Sequence, residues 1–148
     1  MTIERNASAT WQGSLAEGAG TFSLRSSGLV TDAPISWPAR TEQSGGKTSP
    51  EELIAGAHAS CYAMAFSGYL GRTASPPEQL DVDCTVTFEK KPEGGFKVAT
   101  STLRVRGSVP GMDQAGFEEA AKAGEAGCPV SNALRGNVEI RVEATLEN

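Results

Sequence analysis

"SPEELIAGAHASCYAMAFSGYL", residues 49–70, decides how the rest of the chain is read. Ser49 has the character of a helix N-cap. Pro50 follows at the first helical position and Glu52 stands three residues after the cap, the pattern of a capping box. The stretch predicts a helix over roughly residues 50–70. From Leu53 to Gly71 no residue carries a formal charge, close to the length of a membrane span. Its content of Ala, Gly, Ser and Cys argues instead for a helix packed closely between protein surfaces. Into this helix the sequence sets its only histidine, His58, and three residues later Cys61.

Outward from this helix the pattern is α+β. Upstream, "SATWQG" and "GTFSLRS" read as short strands divided by glycine, and residues 26–50 as an irregular loop. Downstream, "LDVDCTVTFEKK" and "GGFKVATSTLRVRGSV" read as a hairpin across "PEGG". "MDQAGFEEAAKAGEAG" reads as an amphipathic helix ending at glycine, "PVSNALRG" as a shorter helix, and "VEIRVEATL" as a closing strand. Helices are grouped rather than alternating with strands, so antiparallel strands around a long central helix are expected. No repeat or linker divides the 148 residues, and a single domain over 1–148 is the expectation.

Eighteen acidic residues against thirteen basic ones give a net charge of −5, with no basic run, which argues against nucleic acid and anionic membranes as partners. The N-terminal residues "MTIERNASATWQG" lack a secretory layout, so a cytoplasmic, reducing setting is expected. There the three cysteines, Cys61, Cys84 and Cys128, are poor material for structural disulfides, and a transient catalytic bond is the better expectation.

Cys61 lies too far from its helix start to be activated by the helix dipole, and burial alone favours an inert thiol. On local grounds it is either a small core residue or a nucleophile activated by something else. Cys128, between Gly127 and Pro129, sits where one helix stops and the next begins, fitting either a reactive thiol or a plain cap. Cys84 falls in a strand alternation and reads as structural. His58 shares a helical face with Cys61 and reads first as a hydrogen-bonded core histidine. Zinc would need His58 and all three cysteines to converge from four elements without a close-spaced pair, so no metal is expected. Glu51 and Glu52 suit the first helical turn, and Arg40 in "PAR" is a permanent cation that a carboxylate such as Glu51 could hold toward a thiolate.

"TSPEELIAGAHASCYAMA", with "AGCPVSNAL" far downstream, resembles the OsmC/Ohr family of thiol-dependent hydroperoxide reductases, the OsmC branch in particular. The likeness runs through "EQSGGK" and "VPGMD" to the closing strand. It implies an intertwined α+β homodimer with the central helices at the interface. It also implies that Cys61 attacks the peroxide, Cys128 resolves it as a disulfide, Arg40 activates the site and Glu51 orients that arginine. The implied partners are an organic hydroperoxide as substrate and a dithiol reductant, lipoyl protein or thioredoxin-like, with no cofactor. A dimeric module that binds an apolar ligand without redox turnover is the alternative, and the pairing of Cys61 with Cys128 speaks against it.

Overall fold

The computed structural model describes residues 1–148. The chain folds as two compact units, Met1–Pro50 and Glu51–Asn148.

The first unit is an antiparallel meander of β1 (Ala7–Gln12), β2 (Ala19–Leu24) and β3 (Val30–Ile35), followed by a short helix, α1 (Trp37–Thr41). Trp11 stands opposite Gly20, and a Cβ at Gly20 would come within 2.8 Å of the indole and 2.3 Å of the Thr10 carbonyl oxygen. Glycine is what lets the indole cross the strand there. Sequence patterning predicts a loop where β3 and α1 lie, and the structure corrects this. Pro34 has no N–H to give but falls on an edge strand, where that loss is tolerated. Ser36 caps α1 by accepting the Ala39 N–H at 3.3 Å, and Pro38 fits the first turn.

The second unit begins with the long helix α2 (Pro50–Thr73), near the expected bounds. A hairpin of β4 (Gln79–Lys90) and β5 (Phe96–Ser108) comes next, followed by α3 (Gln114–Ala126), α4 (Pro129–Leu134) and β6 (Glu139–Leu146). Asp113 caps α3 through the Gly116 N–H at 2.8 Å. The sheet order is β4-β5-β6, with β4 and β5 antiparallel. β6 departs from the antiparallel pattern and runs parallel to β5, because α3 and α4 carry the chain back before it enters the sheet.

From Leu103 onward β5 alternates: Leu103 and Val105 are buried, as is Ser101 on the same face, while Arg104 and Arg106 face solvent and pair with Glu143 and Asp83. On the buried side Leu103 and Val105 meet Tyr62, Phe66 and Leu70 of α2 and Phe117, Ala120 and Ala121 of α3. Full burial of each large apolar side chain contributes about 1.5–3 kcal/mol. The buried positions of α2 past its first turn, His58, Tyr62, Phe66 and Leu70, form one narrow stripe at four-residue spacing. Leu53 and Met64 on other faces stay exposed.

Candidate active site: two thiols on facing helices

Cys61 and Cys128 come together. α2 carries Cys61, partly exposed, one turn beyond His58. Cys128 is fully buried at the junction of α3 and α4, where it occupies the N-cap position without capping through its side chain. Its backbone is held on both sides: its N–H donates to the Glu125 carbonyl at 3.0 Å, and its carbonyl accepts the Asn132 N–H at 3.0 Å. The Cys61 sulfur lies near enough to the Cys128 thiol and to the backbone N–H of Val130 for both to act on its proton. Burial pushes the Cys61 thiol above its ordinary pKa, the Cys128 thiol adds to the rise, and the Val130 N–H partly offsets both.

Cys61 opens on a cleft of about 400 Å³ lined by Met64, Tyr69, Gly124 and Pro129, with Arg72 at the far end. The cleft follows from close helix packing: a Cβ at Gly124 of α3 would meet the Phe66 ring at 2.9 Å. The Tyr62 hydroxyl donates to the Ala121 carbonyl at 2.9 Å and ties the same two helices.

Arg40 belongs to the first unit, in the last turn of α1, with its guanidinium 5.8 Å from the centre of the Trp37 ring. It borders an apolar cavity of about 240 Å³ with Trp11, Leu15, Ile35 and Trp37. Glu51 is buried in the first turn of α2. Ten helical residues separate it from Cys61, an axial rise of about 15 Å, so Glu51 does not reach Cys61 of its own chain.

His58 is a core histidine, fully buried and bonded through both ring nitrogens: Nδ1 to Ser101 Oγ at 2.6 Å and Nε2 to Ser131 Oγ at 2.7 Å. Burial holds its pKa below the ordinary value, with the Glu125 carboxylate opposing that shift. Cys84 closes this chain of polar groups, its sulfur 3.2 Å from Ser101 Oγ and 4.0 Å from His58 Nδ1. Burial raises its pKa, as suits an unreactive thiol. Ser101 and Ser131 went unnoticed in the sequence. The available signal was a serine at an inward position of β5 and another three residues beyond Cys128. No three His, Cys, Asp or Glu side chains are arranged to hold a metal ion. No helix is long and apolar enough to cross a membrane.

Residues 43–143 match the family described as OsmC-like protein. The chain is 36% identical over 140 residues to "Peroxiredoxin OsmC" of Escherichia coli (strain K12), covering 95% of this chain and 96% of that protein. It is 32% identical over 117 residues to "Organic hydroperoxide resistance protein" of Xanthomonas axonopodis pv. citri (strain 306), covering 78% and 80%. Among solved structures it resembles the organic hydroperoxide resistance protein OhrB of Bacillus subtilis, with a TM-score of 0.72, 28% identity, and 95% and 98% of the two chains covered.

Proposed function

The chain belongs to the OsmC-like protein family, and from that we propose that it is a cysteine-based peroxidase that reduces organic hydroperoxides to alcohols and, more weakly, hydrogen peroxide to water. The observation that carries this reading is the proximity of Cys61, open to a cleft, to Cys128, which is fully buried. The relatives' names, peroxiredoxin and organic hydroperoxide resistance protein, support it.

In the proposed cycle the Cys61 thiolate attacks the distal oxygen of the hydroperoxide. The O–O bond breaks, the alkoxide leaves and takes a proton, and sulfur is oxidised to a sulfenic acid. Cys128, on losing its proton, attacks that sulfur, the S–O bond breaks, and hydroxide leaves as water. A dithiol reductant, a lipoyl protein or a thioredoxin-like protein, reopens the Cys61–Cys128 disulfide by exchange. A reducing cytoplasm suits such a cycle.

Burial works against the thiolate of Cys61, so a cation has to supply both activation and stabilisation of charge on the departing oxygen. We assign that role to Arg40, oriented by Glu51. Because Glu51 lies about 15 Å along the helix from its own Cys61, the pair is assigned to the Cys61 of a second copy in a homodimer. The exposed Leu53 and Met64 of α2 supply apolar surface for that interface. The apolar lining beside Cys61 favours an organic hydroperoxide over a small hydrated one.

Mass spectrometry after one equivalent of cumene hydroperoxide should show loss of two protons and a Cys61–Cys128 link. Cys61→Ser should consume no hydroperoxide, and Cys128→Ser should consume about one equivalent and stop as sulfenic acid. Turnover by Cys61→Ser, or hydrogen peroxide as clearly the better substrate, would overturn the reading.

A further inference from the structure

The proposed peroxide reduction gives no task to a histidine, yet His58, one turn from Cys61, is bonded through both ring nitrogens. It has no exposed surface, and neither have Ser101 and Ser131, the serines on either side of it. The positions of these groups share one register. His58 precedes Cys61 by three residues on α2, and Ser131 follows Cys128 by three residues on α4. The 2.7 Å bond from His58 to Ser131 therefore spans the same two helices as the Cys61–Cys128 contact, one turn away and parallel to it.

α4 needs such a tie. It has only six residues, too few to hold a helix by themselves, and its N-cap makes no side-chain bond. On its solvent side Arg135 reaches Glu125 at 2.7 Å and Asn132 at 3.3 Å. On its buried side the Ser131–His58 bond joins the packing of Cys128 and Val130 against the core. An apolar residue of similar size at 58 would leave the Ser131 hydroxyl without its side-chain partner in the core and Ser101 with only the Cys84 sulfur.

We propose that His58 is a positioning residue for the second half of the reaction: through Ser131 it fixes α4, and with it Cys128, at the distance from α2 that disulfide condensation requires. This rests on the peroxidase reading above. In that step the Cys128 sulfur must approach the Cys61 sulfenic sulfur from the side opposite the S–O bond as hydroxide departs, and the resulting bond tolerates little error in Cβ separation. A misplacement of about 1 Å can slow such a step by up to about 100-fold. Attack of Cys61 on the hydroperoxide meets α4 only through the Val130 N–H and the Pro129 wall of the cleft, whereas condensation needs the Cys128 sulfur itself in line. A brace therefore slows the second half-reaction far more than the first, and a general support of the core slows both alike.

The test follows both steps by rapid quench with cumene hydroperoxide, reading sulfenic acid as its dimedone adduct and the disulfide by mass spectrometry. Ser131→Ala keeps the histidine and removes only the tie. It should form sulfenic acid within about twofold of the wild-type rate and condense about tenfold more slowly or worse. His58→Leu should show the same split, and His58→Gln, which keeps one donor and one acceptor, should recover part of the condensation rate. Should His58→Leu fail to fold, Ser131→Ala still decides. Condensation at the wild-type rate in Ser131→Ala, or equal slowing of both steps, overturns the proposal. A wild-type protein that forms no Cys61–Cys128 disulfide at all instead removes the peroxidase reading beneath it.

Discussion

Burial makes Cys61 a poor thiolate within its own chain, so its reactivity should climb with pH beyond the ordinary thiol range unless a cation intervenes. If Arg40 is that cation, Arg40→Ala should move the pH midpoint of Cys61 alkylation upward. It should also slow hydroperoxide reduction by about 100-fold, more than the lost thiolate explains, because the guanidinium also meets charge on the departing oxygen. Equal losses in alkylation and reduction would leave it only the first role. His58 gives a second pH signature. Its folded-state pKa lies below the unfolded value, so the neutral ring contributes stability above about pH 6.5 that is lost as pH falls through the folded-state pKa. Urea unfolding of wild type and His58→Gln at pH 7 and pH 5 should show a smaller acid loss in the variant, and an equal loss would contradict the assignment. At this scale Cys61 and Cys128 were legible because a thiol in an apolar helix and a Gly-Cys-Pro junction are both unusual. Ser101 and Ser131 were not, because a serine acquires its role only from the neighbour that folding brings to it.

Among the elements, α2 announces itself through its cap residues and its uncharged run, and α3 through its amphipathic pattern and the glycine at its end. β3 and α1 did not, because their residues carry proline and serine, read equally well as loop. The ladder with β2 and the Ser36 cap select the ordered form. The parallel entry of β6 was likewise invisible, since alternation marks a strand but says nothing of its direction. The close crossing of α2 and α3 can be probed at Gly124. Alanine there gains up to about 1 kcal/mol of helix propensity but forces a methyl into Phe66, at a cost of about 1–3 kcal/mol. Gly124→Ala should thus lower the urea midpoint and, by shifting the wall of the cleft beside Cys61, reduce turnover. An unchanged or raised midpoint would mean that the two helices part without loss.

For the whole molecule, the proposed homodimer makes two demands. Met64→Glu places a charge on the exposed face of α2 and should yield a folded monomer by sedimentation, with turnover largely lost. A stable dimer with normal activity would put the interface elsewhere. Mixing Cys61→Ser with Arg40→Ala, each inactive, should restore roughly a quarter of wild-type activity once subunits exchange, because about half the pairs are mixed and each has one intact site. No recovery would return Arg40 to its own chain. The site also has an order of assembly in time. His58 finds its serines 43 and 73 residues further along, and Cys128 follows Cys61 by 67 residues. At about 5–20 residues per second, a growing chain carries the first thiol for roughly 3–13 seconds before the second is even synthesised. In the proposed cycle a sulfenic acid formed on Cys61 during that interval would have no resolving partner, and a second equivalent of hydroperoxide would take it to the irreversible sulfinic acid. On the peroxidase reading, ribosome-stalled chains ending before Cys128 are therefore expected to carry whatever oxidation reaches Cys61 on to sulfinic acid, where the finished protein would stop it at the disulfide.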